Sequence, residues 1–176
     1  MSTFRNDPLL GIAKALLTFM MVIFVIAIVA LGLGAAIMIA VKGAVISKLV
    51  ENGASPDAFW AILLLLPLLA VMMMLSFRFA KTLRAIVRTV ETGDPFIPDN
   101  ADRLRQMAWL TLIMQIAAIP VGAIAAWIEN ATTQLGEVEI VSDISANGFI
   151  LALVLFILAR VFKTGAQMRE ELEGTV

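Results

Sequence analysis

Residues 15–41 read ALLTFMMVIFVIAIVALGLGAAIMIAV, bounded by Lys14 and Lys42 with no charged side chain between them. A bilayer core about 30 Å thick is crossed by about 20 apolar residues in a helix. This run exceeds that length, so it predicts a membrane span with residues to spare for tilt. It is also far longer than the roughly 7–15-residue apolar region of a cleaved signal peptide, which makes a retained anchor the expectation.

Three further stretches extend the same reading. Ala58 to Phe77 and Met107 to Ile128 are free of charge, and Ile144 to Phe162 is interrupted only by Arg160, which can snorkel to the headgroups. The composition agrees: 61% of residues are apolar, 15% are charged and the mean hydropathy is +0.96. A soluble domain carries about 25% charged residues, so a water-facing fold is excluded. The expectation is an all-α integral membrane four-helix bundle, one transmembrane domain over residues 1–176. Its spans lie at 15–41, 58–77, 107–128 and 144–162.

Orientation follows from lysine and arginine in the short flanks. With the N-terminus inside, all but two (Lys42 and Lys48) of the 13 basic residues fall on the cytoplasmic side. This predicts an N-in, C-in membrane protein. Residues 78–106 form a cytoplasmic loop, 163–176 a cytoplasmic tail, and 42–57 and 129–143 the outer loops. Trp60 and Trp127 fall at outer span ends and Trp109 at an inner end, as interfacial aromatics should.

The residue types missing from the chain exclude much chemistry. Cysteine and histidine are both absent, which removes disulfides, thiolate chemistry and the commonest transition-metal ligand. A net charge of −1 gives no sign of direct nucleic-acid binding. The span interiors hold no ionisable group, only Thr18, Ser76 and Gln115 as notable polar groups. Thr18 and Ser76 can bond back to their own helices, and Gln115 reads as an interhelical donor. Met72, Met73 and Met74 point about 100° apart on a helix and do not converge on a soft metal. An enzyme is not expected, nor a cofactor or a metal. Asn130-Ala131-Thr132 matches a glycosylation sequon, which matters only in a secretory pathway. Pro67 and Pro120 lie within spans, as helix-breaking prolines do in transporters, although ordinary membrane helices tolerate them too.

Two rows of small residues recur at four-residue spacing, Gly32, Ala36, Ala40 and Ala118, Gly122, Ala126. Such rows let helix backbones approach closely and predict helix packing, within the chain or between copies in a homo-oligomer.

The chemistry-bearing residues gather on the predicted inner side. Arg78, Lys81, Arg84 and Arg88 are spaced to share one side of a helix that continues out of the second span. Gly93 suits a helix stop and Gly93-Asp94-Pro95-Phe96 a turn, after which Asp99 or Asn100 can cap the helix carrying Arg103 and Arg105. The fourth span continues through Phe162, Gly165 and Arg169 to an acidic end at Glu170, Glu171 and Glu173. Both cytoplasmic extensions read as helical, and opposite charge predicts that the acidic end packs beside the basic row. The basic row serves as an anchor on anionic lipid or as a contact surface for a soluble partner. The outer loop collects Glu129, Glu137, Glu139 and Asp143, which read as a solvated acidic linker before they read as a cation trap. Val138, Ile140 and Val141 hint weakly at a strand.

These motifs carry a resemblance. Gly93-Asp94-Pro95-Phe96, Asn100 with Arg103-Leu104-Arg105, Phe162, Gly165, Met168-Arg169 and the ending Glu173-Gly174-Thr175-Val176 resemble the bacterial family called domain of unknown function 2975. Members commonly have leucine where Gly174 stands here. The resemblance implies a small four-span inner-membrane protein without established activity, often encoded beside a helix-turn-helix regulator. It therefore implies a membrane partner or modulator of a cytosolic, DNA-binding protein. The candidate partner or lipid contacts are Arg78, Lys81, Arg84, Arg88, Pro95, Phe96, Asn100, Arg103, Arg105, Phe162, Gly165 and Arg169. A small transporter, channel or lipid-binding subunit is the rival expectation.

Overall fold

The computed structural model describes residues 8–131 and 146–173. Among these the chain forms five α-helices and no strand: α1 (Pro8–Ala40), α2 (Lys42–Glu51), α3 (Ala58–Glu91), α4 (Pro98–Ala131) and α5 (Ala146–Glu173). The long helices α1, α3, α4 and α5 are each long and apolar enough to cross a membrane. The protein is thus a multi-pass membrane protein by the length and composition of its helices. Helices α3 and α4 run without a break through Pro67 and Pro120.

Helix boundaries follow local chemistry. Pro8 opens α1 and Pro98 opens α4, where the missing N–H costs nothing. α3 ends on Gly93, the expected stop: its φ of 85° lies in the left-handed region, and the Gly93 and Asp94 amides donate to the Val90 and Thr89 carbonyls. The expected cap at Asp99 or Asn100 is corrected, because α4 starts earlier, at Pro98. Asp99 sits in its first turn, where a carboxylate suits the helix dipole, and Asn100 is committed elsewhere.

Helix α2 occupies part of the stretch expected as an outer loop. Val45, Ile46 and Leu49 give it a helical apolar side, and it closes on Gly53 (φ 77°) by the same left-handed geometry as α3.

The chain divides into two compact units. The first comprises the described parts of residues 1–23, 75–113 and 145–176, and the second those of 24–74 and 114–144. In the first unit, Ile86, Leu104, Met107, Ala108, Leu155 and Ala159 form a buried core, flanked by Phe79, Leu83, Phe156 and Phe162. Ala152, Ala159 and Ala166 of α5 and Ala101 and Ala108 of α4 are all buried. Their spacing is seven, the repeat that keeps one seam of a helix facing its neighbours. In the second unit Phe59 and Ala58 are fully buried, and the Lys42 ammonium lies 4.3 Å from the Trp60 ring centroid.

The small-residue rows behave differently from this seam. Gly32, Ala36 and Ala40 are exposed, and a Cβ at Gly32 would meet no atom within 4 Å, so none of the described helices covers that row. Ala118 and Gly122 are half-buried and Ala126 is exposed, whereas Ala125, one step away, is fully buried.

Candidate functional site

The first unit carries the motif residues, and they are used largely on one another. Asn100 is fully buried at the start of α4. Its Nδ2 donates to Thr89 Oγ1 at 2.6 Å and to the Pro95 carbonyl at 2.9 Å, while its Oδ1 accepts from Arg103 Nη1 at 2.8 Å. Thr89 Oγ1 in turn donates to the Ile86 carbonyl. One side chain thus ties the end of α3, the turn and the first turn of α4, and every polar atom it brings inside is satisfied.

The turn of residues 92–97 is held to α5 at two points. Asp94 pairs with Arg169, and the Phe96 ring lies 5.1 Å from that of Phe162. Beneath Phe96 sits Gly165, where an added Cβ would come within 2.9 Å of Phe96 Cδ1. Glycine is needed here for close approach, since the helix itself would favour any larger residue. In the Asp94–Arg169 ion pair α5 supplies the base and the turn supplies the acid. α1 joins through Lys14, whose Nζ donates to both Glu91 carboxylate oxygens at 2.8 and 2.7 Å. Both side chains are about one-third exposed (34% and 28%), so the pair contributes about 0.2–1 kcal/mol and serves mainly to fix position.

Concavities open around this scaffold. One, of about 730 Å³, is lined by Lys14, Lys81, Arg84, Arg88, Glu91 and Arg103. A second of about 370 Å³ is lined by Arg78, Lys81, Arg103 and Gln106. Five bases thus surround the large cavity against one carboxylate, which Lys14 already engages. Among the described residues, Lys81, Arg84 and Arg88 make no ion pair. A third, about 410 Å³, is an apolar groove lined by Phe96, Arg160, Val161, Thr164, Gly165 and Met168.

The expected contact residues therefore separate into two sets. Pro95, Asn100, Arg103, Phe162, Gly165 and Arg169 build the scaffold, and Phe96 both packs on it and lines the groove. Arg78, Lys81, Arg84 and Arg88 face open cavities, and Arg105 is exposed. Sequence reasoning missed Thr89 and the Lys14–Glu91 pair. A signal for the latter existed: Glu91 is the first acid after the basic row. Glu137, Glu139, Asp143, the hint of a strand at Val138–Val141 and the ending Gly174-Thr175-Val176 lie outside the described residues. Among those described, no three acidic side chains group where they could hold a metal.

A sequence profile described as Protein of unknown function (DUF2975) matches residues 46–176, more than half of the chain. No curated protein matches the chain, and no solved structure does.

Proposed function

The chain belongs to the DUF2975 family, and from that premise we propose that it is a non-enzymatic protein of the bacterial inner membrane that holds or modulates a cytosolic partner protein. In this reading the first unit faces the cytosol, a placement that the distribution of lysine and arginine supports. The partner is a DNA-binding regulator of the helix-turn-helix kind, as the family resemblance implies.

The supporting observation is the apolar groove beside the turn. Phe96 is 44% exposed, Met168 57% and Leu172 71%, on segments that carry Arg160, Lys163, Arg169, Glu170 and Glu171. Large apolar side chains left open mark a contact surface for protein or membrane, and the charged neighbours here favour protein. The scaffold suits the task, since the Asn100 network and the Phe96–Gly165 contact hold the groove rigid. A preformed surface loses less entropy on binding.

The test is recovery of the tagged full-length protein from native membranes in mild detergent, followed by proteomics. A soluble helix-turn-helix protein is expected in stoichiometric amount. Its recovery should fall about tenfold with Met168→Asp, a change at an exposed side chain that leaves the core intact. Recovery of the membrane protein with lipid alone, or of equal partner with the variant, overturns the reading.

A further inference from the structure

We infer that the basic cavity of the first unit is a binding site for the phosphate-bearing headgroup of an anionic phospholipid, with two phosphodiester groups, as in cardiolipin, the best fit. The cavity shares no lining residue with the apolar groove, so the site stands whether or not a protein partner binds there.

The positive-inside rule does not explain where these bases point. That rule asks for bases in the flanks of the spans and is indifferent to where on the helix they point. Here Lys14 from α1, Lys81, Arg84 and Arg88 from α3, and Arg103 from α4 converge on one cavity from three helices. Arg84 and Arg88 stand four apart on one helix, an arrangement that is unfavourable between like charges unless an anion lies between them. Lys81, Arg84 and Arg88 have no carboxylate in ion-pair reach among the described residues. Glu91, the sole acid in the lining, is held by Lys14 at 2.7 Å. The cavity therefore offers uncompensated positive charge, with arginine forks of the shape that phosphate oxygens accept.

Position and size narrow the anion. Lys14 directly precedes the uncharged run 15–41, Arg78 directly follows the apolar run 58–77, and Gln106 directly precedes Met107. Lys14 of the larger cavity and Arg78 and Gln106 of the smaller one are thus the first polar residues beyond three apolar stretches, which is the depth of lipid headgroups, and Lys81, Arg84 and Arg88 follow on the next turns of α3. Basic pockets between membrane helices at that depth suit cardiolipin and similar headgroups. A space of about 730 Å³ is of the size that holds a whole small-molecule ligand and is large for a lone ion. The adjoining cavity of about 370 Å³ shares Lys81 and Arg103 with it and adds Arg78, so two phosphates of one headgroup find two basic chambers with a common wall.

Native mass spectrometry of the full-length protein in detergent tests this with cardiolipin, phosphatidylglycerol and phosphatidylcholine supplied in turn. A single retained cardiolipin is expected, with occupancy at least about tenfold above phosphatidylcholine and above phosphatidylglycerol. The double substitution Arg84→Gln/Arg88→Gln should weaken it about tenfold or more. Lys163→Gln, which removes an exposed base outside the cavity, should change it less than about twofold. Because Arg84 and Arg88 hold no partner among the described residues, the lipid-free double variant should melt no lower than the wild type. Cardiolipin should then raise the melting temperature of the wild type and leave that of the double variant where it was. Equal retention of the neutral lipid, or an equal loss with Lys163→Gln, overturns the site. Displacement of the lipid by millimolar inorganic pyrophosphate assigns the cavity to a soluble phosphate compound and overturns the headgroup assignment.

Discussion

Gly165→Leu is expected to lower the melting temperature of the detergent-solubilised protein by roughly 2–6 °C, a sign opposite to the one helix propensity gives. In the middle of α5, leucine in place of glycine would add up to about 0.8 kcal/mol of helix stability on its own. Against this stands the Phe96 ring, whose Cδ1 would lie 2.9 Å and Cε1 3.4 Å from the new Cβ. Phe96 must then leave its place over α5 and lose its packing on Phe162. Forcing extra methylenes into such a contact costs typically 1–3 kcal/mol. The net loss is about 1–2 kcal/mol, which at this chain length corresponds to the stated shift. Gly11→Leu supplies the contrast, since nothing lies within 4 Å of its added Cβ, and the propensity gain should appear there unopposed. With Phe96→Ala already present, Gly165→Leu should no longer destabilise, because the two residues share one contact. A Gly165→Leu protein as stable as the Gly11→Leu protein would show that the turn does not rest on α5.

Asn100→Leu is expected to have a larger effect, a loss of about 3 kcal/mol or more, seen as a lower melting temperature and a smaller folded fraction on size exclusion. Leucine fills a similar volume, so the cost comes from the groups left behind. The Pro95 carbonyl and Thr89 Oγ1 each lose a donor, and Arg103 loses the acceptor that directs it. A buried polar group left without a partner costs about 1–3 kcal/mol; the Pro95 carbonyl bears this in full, while Thr89 Oγ1 keeps its bond to the Ile86 carbonyl and Arg103 its ion pair with Asp99, so each of these adds less. Asn100→Asp separates shape from hydrogen bonding: it keeps the acceptor for Arg103 and removes the donor to Pro95, setting an oxygen against a carbonyl oxygen. It too should destabilise, by less than Asn100→Leu if Arg103 compensates the charge. Thr89→Ala and Asn100→Ala should couple, the double variant costing less than the two singles added. Additive costs would mean that the network is not a unit.

These residues also show what a sequence reveals of such a protein. The four spans were legible because charge is excluded over whole helices, and a run such as residues 15–41 admits no other reading. The stop at Gly93 was legible because a left-handed residue ends a helix locally. Asn100 was misread for a related reason: near the start of a helix asparagine resembles a cap, and its true partners, Thr89 and Pro95, lie across a turn whose path only tertiary packing sets. The Lys14–Glu91 and Arg169–Asp94 pairs join residues more than seventy positions apart, and one chain gives no measure of such proximity. Small residues four apart mark the rows that begin at Gly32 and Ala118, whereas the buried seam of α5 repeats at seven, through Ala152, Ala159 and Ala166. The basic row was visible from its spacing. That Lys14 and Arg103 close a cavity around it from two other helices was not.

Both the partner surface and the lipid site rest on the first unit lying at the cytosolic face, and that placement can be measured directly. The chain has no native cysteine, so single cysteines report their own exposure without further engineering. Asp102→Cys and Lys163→Cys place the probe at exposed positions of the first unit, and Lys48→Cys and Asn52→Cys at exposed positions of the second. Spheroplasts are treated with a membrane-impermeant maleimide before and after permeabilisation. The expected result is labelling of Lys48→Cys and Asn52→Cys in intact spheroplasts, and of Asp102→Cys and Lys163→Cys only once the membrane is opened. Labelling of Asp102→Cys and Lys163→Cys from outside intact spheroplasts would place the motif-bearing unit on the wrong side for a cytosolic partner and contradict the account.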